Sequence, residues 1–149
     1  FSTSSSSASI PFTLKAATEK CGINKSISSF TIPLGATINM DGTAIMQGCA
    51  TFFLASLYGI DLGMNEILTI VVTATIASIG TAGIPSAGII MLTVIFTQIG
   101  IPLEGITLLL GVDRLLDMMR TSINVSGDLC ISCIVASSEN RIDENIYKS

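Results

Sequence analysis

The sequence contains no histidine, which removes the commonest general acid–base side chain and the commonest metal ligand. It is also poor in charge: Asp, Glu, Lys and Arg make up 12% of the residues, about half the share in an average soluble domain. The few charges leave long gaps. No Asp, Glu, Lys or Arg lies between Asp41 and Asp61, or between Glu66 and Glu104. The first gap alone, as a helix, could cross a hydrocarbon core of about 30 Å. Hydrophobic residues make up 49% of the chain and the mean hydropathy is +0.72, so an all-α integral membrane protein is expected. There is no basic run and the formal net charge is −4, which argues against nucleic acid as a partner. The chain opens on Phe1 with no charged leader or cleavage site, and is expected to be an interior or C-terminal part of something longer.

Four cysteines are present, and Cys130 with Cys133 forms a CxxC. No second CxxC or histidine completes a metal set and no βαβ pattern surrounds it, so the pair reads as two packing residues. The stretch from Gly111 to Asp128 carries more information. On a helix, Asp113, Asp117, Arg120, Thr121, Asn124 and Asp128 fall within an arc of roughly 100°. That spacing usually marks the apolar face of an amphipathic helix, yet here it is written in polar side chains. The flanks, Ile106–Leu110 and Leu129–Val135, are apolar.

Phe1 to Ser9 is a serine-rich run ending at Ile10-Pro11. Taken alone it reads first as a flexible linker. The other reading is a polar tip leading into a short helix over Pro11–Cys21, with the proline in its first turn. Ser26 to Tyr58 is too long for one untilted span. Its middle, Asn39-Met40-Asp41-Gly42, joins poor helix formers to a charge. A lone Asp41 in apolar surroundings costs about 2.5–3.5 kcal/mol, so a helix broken there, with the carboxylate and freed carbonyls turned toward a cation, is expected. Ile67–Ile79 and Ile89–Ile99 flank a Gly/Pro breaker, Gly80–Gly88. Each half has only about a dozen residues, roughly 18 Å of helix, which reads as a re-entrant hairpin whose tip is buried in protein or faces water. Ile10-Pro11 and Ile84-Pro85 form a weak internal echo that points to an inverted-repeat transporter.

Lys15, Lys20 and Lys25 cluster before the first long apolar stretch, and Arg141 and Lys148 follow the last. The connections near Asp61, Glu66 and Glu104 hold no Lys or Arg. The positive-inside rule then places the first group in the cytoplasm and the two tips at one depth from opposite faces. Four charges on one helix facing lipid would cost on the order of 10 kcal/mol, so the arc must face protein or a cavity. Its excess of carboxylates suits a bound cation. Arg120 offers a fork that matches a planar carboxylate, and Asp117 can pair with it or take an ammonium. A structural salt-bridge ladder is the alternative.

Four stretches together resemble the dicarboxylate/amino acid:cation symporter family, the glutamate transporter family. They are Ser5-Ser6-Ser7, Asn39-Met40-Asp41-Gly42-Thr43, Gly80-Thr81-Ala82-Gly83-Ile84-Pro85 and Asp117-x-x-Arg120-Thr121-x-x-Asn124-x-x-x-Asp128. The resemblance covers nearly the whole chain in order. It implies the C-terminal half of an elevator-type transport domain: residues 1–25 the end of hairpin 1, 26–58 the broken helix 7, 63–99 hairpin 2, 103–138 helix 8, and 139–149 a cytoplasmic tail. It implies a multi-pass protein of the plasma membrane, or of the cell inner membrane if bacterial, homotrimeric at full length. Its partners would be membrane lipid and an N-terminal scaffold of the same chain, and it would hold no cofactor beyond Na⁺ as coupling ion.

Carried over by motif, the resemblance gives Ser5, Ser6, Thr43, Ile84, Pro85, Gly88, Asp117, Arg120, Thr121 and Asn124 to the substrate. Arg120 would hold a side-chain carboxylate and Asp117 the amino group. It gives Gly35, Asn39, Asn124 and Asp128 to one sodium ion. Thr37, Met40, Ser78, Ile79 and Thr81 go to a second, largely through backbone carbonyls. Asn39 and Asp41 go to a third, with Asp113 supporting that region. In this family an Arg at position 120 with an Asp at 117 implies glutamate or aspartate. A C4-dicarboxylate:cation (Na⁺ or H⁺) symporter is the alternative. Members often carry a further Arg where this chain has Ser4 or Met118, a departure that bears on potassium countertransport. A channel-like or structural helical subunit is the reading from another class, and an enzyme is not expected, since no Ser or Cys sits beside an evident base.

Overall fold

A computed structural model describes residues 1–81 and 83–148, so Ala82 of the Gly80–Pro85 motif and Ser149 of the tail lie outside the described residues. Within them the chain is all-helical, with a single β-bridge between Ile23 and Ile142. Its α-helices are α1 (Ser6–Glu19), α2 (Lys25–Ile38), α3 (Asp41–Leu57), α4 (Met64–Gly80), α5 (Ala87–Ile99), α6 (Ile106–Leu110), α7 (Asp113–Ser138) and α8 (Glu144–Tyr147). A 3-10 turn, Leu103–Gly105, leads into α6.

The serine run is not a linker. Ser4, Ser5, Ser6 and Ser9 are buried, and α1 begins at Ser6 rather than at Pro11. Ser5 caps the helix by accepting from the Ala8 N–H at 3.1 Å. Ser9 and Thr13 donate their hydroxyls back to the carbonyls of Ser5 and Ser9, at 2.9 and 3.0 Å. Residues with weak helix propensity are thereby satisfied inside the helix, and Pro11 falls within it instead of opening it.

The interruption expected near Asn39 is present. α2 stops at Ile38, Asn39 (ψ 77°) and Met40 (ψ 52°) leave helical geometry, and α3 starts at Asp41. Asp41 occupies the first turn of α3, where a carboxylate meets the positive end of the helix dipole. The stretch 103–138 is less regular than its composition implies. Gly111 and Val112 separate α6 from α7, so the polar arc begins at the very start of α7.

α7 packs against α1, α2 and α3. One apolar cluster (Leu54, Ile70, Leu92, Ile95, Phe96) gathers α3, α4 and α5, and half-buried Leu116 of α7 touches it. A second (Ala17, Ile23, Ile32, Ala136) joins α1, α2 and the far end of α7. The polar face of α7 runs between the two. Many large apolar side chains point outward instead, among them Phe12, Phe30, Phe53, Ile76, Ile90 and Ile134. Among the described residues no helix is long and apolar enough to cross a membrane. α7, at 26 residues, has the length but carries the polar face, and α1 to α5 have 13 to 17 residues each.

The two ends of the molecule differ in their basic residues. Asn24 N–H donates to the Arg141 carbonyl at 3.0 Å and Asp143 N–H to the Gly22 carbonyl at 2.8 Å. These bonds bring Lys20, Lys25 and Arg141 to one end. At the other, Gly105 lies against Leu54 and Tyr58, gathering the connections that carry Asp61 and Glu104.

Candidate functional site

Every member of the polar arc is buried: Asp113, Asp117, Arg120, Thr121, Asn124 and Asp128 all face inward from α7. Burying an ion without a partner costs several kcal/mol, so the partners define the site. Asp117 and Arg120, one turn apart, form an ion pair, with Asp117 only 1% and Arg120 5% exposed. Asp117 Oδ2 also accepts from the Ser86 N–H at 2.6 Å. The Arg120 guanidinium keeps Nε and Nη1 without hydrogen-bond partners among the described residues. Two buried guanidinium nitrogens without acceptors are what a carboxylate ligand would satisfy. Gly88 makes room for this group, because a Cβ there would run into the Arg120 guanidinium. Asp113 does not reach the region of Asn39 and Asp41. Its Oδ2 accepts from the Ser86 hydroxyl at 2.6 Å.

Asn124 and Thr43 join the arc to the break between α2 and α3. Asn124 Oδ1 accepts from the Gly42 N–H at 2.7 Å, and its amide nitrogen lies 3.2 Å from Met40 Sδ and 3.4 Å from Thr43 Oγ1. Gly42 is obligatory here: a Cβ would press on the α7 backbone at Arg120. Thr43 and Thr121 are buried beside them. From the other side, the start of α1 meets the turn between α4 and α5. Ser5 Oγ donates to the Gly83 carbonyl at 2.6 Å, and the Ser7 N–H donates to the same oxygen at 3.2 Å. Ser6 is buried at this junction, while Ile84 and Pro85 are exposed on the outside of the turn.

The residues assigned to cations divide. Asn39 Nδ2 donates to Asp128 Oδ1 at 2.9 Å, and Gly35 lies so close that a Cβ would strike the Asp128 carboxylate. Gly127 approaches both Asn39 and Asp41, which sets Asp41 near the same group although its side chain is exposed. Gly35, Asn39, Asn124, Asp128 and Asp41 are therefore brought to one side of α7. Met40, Ser78 and Thr81 are buried, and Gly83 stands between Ser7, the Ala36 carbonyl and Met40 Cε. Thr37 and Ile79 carry exposed side chains, and the Thr37 hydroxyl turns back to the Pro33 and Leu34 carbonyls. Ile79 can serve an ion only through its backbone oxygen, and Thr37 through its carbonyl or the lone pairs of that hydroxyl. The set is all oxygen with one thioether, a donor chemistry that fits a hard cation and not a soft metal.

Residues 1–138 match the model described as the sodium:dicarboxylate symporter family. The chain belongs to that family. Excitatory amino acid transporter 3 of Mus musculus is 50% identical over 125 residues, covering 84% of this chain and 24% of that one. Excitatory amino acid transporter 1 of Rattus norvegicus is 49% identical over 126 residues, covering 85% of this chain and 23% of the relative. The human transporter 3 is 49% identical over 125 residues, with 84% and 24% covered. The chain thus spans about a quarter of the length of these relatives. The family and the relatives are transporters, not enzymes.

Within this member of the family, several contact residues escape a reading of side-chain chemistry. Gly42, Gly83 and Ser86 act through backbone N–H or C=O groups, which sequence does not distinguish. Gln47 is fully buried on α3, donates to the Gly88 carbonyl at 3.4 Å and leaves Oε1 unpaired among the described residues. The one available signal for Gln47 is its polarity in the otherwise apolar Ala44–Ala50 run.

Proposed function

We propose that this chain is part of a carrier that moves glutamate or aspartate across the plasma membrane together with sodium ions. The observation that carries the reading is the buried Asp117–Arg120 pair with Nε and Nη1 of the guanidinium unpaired. An α-amino dicarboxylic acid presents a side-chain carboxylate for the Arg120 fork and an ammonium for Asp117. Thr121, Asn124 and Thr43 are buried on or beside the same face of α7, Gly88 lies against the guanidinium, and Ser5 and Ser6 would reach the ligand from the start of α1. Ile84 and Pro85 belong to the turn that would close over the ligand. Sodium is cargo as well as driving force. Its ligands would be Asp128, Asn39, Asn124 and the Gly35 carbonyl, then Asp41, and a second group made of Met40, Ser78 and Thr81 with the Thr37 and Ile79 carbonyls.

The start of α1 and the turn between α4 and α5 belong to different helix pairs and meet at Gly83, which suits two gates around one site. Short helices whose apolar faces point outward favour re-entrant hairpins and a broken transmembrane helix over simple spans. An elevator motion of this unit against an N-terminal scaffold, in a homotrimer of multi-pass chains, completes the reading.

Uptake of radiolabelled aspartate into proteoliposomes bearing the full-length carrier tests it. Replacing Arg120 with Cys removes one partner of a buried charge pair. Sodium-driven aspartate uptake should then fall by about a hundredfold or more at low substrate concentration. Retained aspartate uptake in Arg120→Cys would rule out the assignment. The name of the matched family favours a second reading, a C4-dicarboxylate carrier. Succinate displacing aspartate at lower concentration than glutamate does would select it.

A further inference from the structure

Ser86 makes contacts that the transport reading leaves unused. It stands between Pro85 and α5 in the left-handed region, φ +60° and ψ 1°, a conformation that disfavours any residue with a Cβ. What holds it there is a pair of hydrogen bonds to α7. Its N–H donates to Asp117 Oδ2 and its hydroxyl to Asp113 Oδ2, both at 2.6 Å. Asp113 and Asp117 are successive turns of one helix, 7% and 1% exposed. One exposed residue therefore gives both of its polar hydrogens to two buried carboxylates. Asp113 Oδ1 has no hydrogen-bond partner among the described residues, so the Ser86 hydroxyl is the one side-chain donor recorded on that carboxylate.

The consequence lies in what Asp117 has left to offer. Its Oδ1 is paired with Arg120 and its Oδ2 is taken by Ser86. An ammonium group arriving at Asp117 meets both. We propose that Ser86 is a latch: its N–H competes with the ammonium of an amino acid ligand for Asp117, and Asp113 strengthens the competitor by holding the Ser86 hydroxyl. The Ser86 bond to Asp117 and an ammonium at Asp117 are then alternatives, and the turn that closes over the ligand gives up that bond when it does. Ser86 and Asp113 are positioning residues whose bond sets the balance between them. This rests on the reading of Asp117 as the ammonium-binding group.

A competitor that is weakened leaves tighter ligand binding, which is opposite to the effect of removing a scaffold residue. Equilibrium binding of aspartate to the purified full-length carrier at saturating sodium reads this directly. Ser86→Ala should lower the aspartate Kd by about three- to tenfold, the size of one lost hydrogen bond. Asp113→Ala should give a similar gain, and the double variant no more than either alone, because both cut the same bond. Asp113→Asn, which keeps the volume and a weaker acceptor, should fall between wild type and Asp113→Ala. An unchanged or raised Kd in Ser86→Ala, or additive gains in the double variant, overturns the latch. Wild-type carrier that binds no aspartate in sodium overturns the reading of Asp117 itself, and the latch with it.

Discussion

Gly35 and Asp128 show how single atoms set the chemistry of this site. Asp128 is 2% exposed and shares its carboxylate with Asn39 Nδ2, while the Gly35 backbone passes so close that any side chain would collide with it. The absence of a Cβ at position 35 lets the α2 backbone and the Asp128 carboxylate stand side by side. Gly35→Ala should therefore push the Asp128 carboxylate aside by roughly an ångström, an overpacking change that costs about 1–3 kcal/mol locally. Half-saturation by sodium should rise about tenfold, with aspartate affinity at saturating sodium nearly unchanged. A sodium titration of aspartate binding measures both, and an unshifted titration would detach Gly35 from the cation site. Gly88 plays the corresponding part for Arg120. Neither glycine was distinguishable in the sequence from the other eleven by type alone. Gly35 and Gly88 entered the site by family resemblance, and the close approach supplies the physical reason.

At the scale of elements, the helix break between α2 and α3 is a local structure paid for by α7. The Asn39-Met40-Asp41-Gly42 step was legible because poor helix formers and a charge interrupt an apolar run. What holds the break open was not legible, since it comes from residues more than eighty positions away. Asn124 accepts from the Gly42 N–H at 2.7 Å, and Asn39 donates to Asp128 at 2.9 Å. Replacing Asn124 with Leu leaves the Gly42 N–H buried without a partner, at a cost of about 1–3 kcal/mol. Amide exchange in the first turn of α3 should accelerate by one to two orders of magnitude, while the Ala50–Leu57 half, packed in the apolar cluster, stays protected. Equal acceleration along the whole helix would mean that Asn124 supports the fold at large and not the break. The serine run is opaque to composition for a related reason. Composition marks it as a linker, but its hydroxyls cap and brace α1 and tie it to Gly83. The bend at Gly111–Val112 left little trace either, because Ile106–Leu110 continues the apolar pattern smoothly into α7.

At the scale of the whole molecule, the ordinary arrangement of a soluble protein is reversed along α7. Its polar face is buried between two apolar clusters, and Phe30, Phe53, Ile76, Ile90 and Ile134 face out. Such a surface suits a lipid or protein surround and leaves charge at the ends. Those ends are unequal. Lys20, Lys25 and Arg141 are held together by the bonds between the α1–α2 connection and the segment after α7, while Asp61, Glu66 and Glu104 lie in or beside the opposite connections. The positive-inside rule turns that asymmetry into an orientation, with the Ile23–Ile142 bridge on the cytoplasmic face. In a full-length carrier freed of its native cysteines, which here are Cys21, Cys49, Cys130 and Cys133, the orientation can be read with one new thiol at a time. An impermeant maleimide added to sealed right-side-out vesicles should label Asp61→Cys at once, and Lys20→Cys only after the membrane is permeabilised. Both positions are exposed, so access and not burial decides the outcome. If Lys20→Cys reacts from outside and Asp61→Cys does not, the orientation is inverted, and the turn carrying Ser86 then closes the site from the cytoplasmic side.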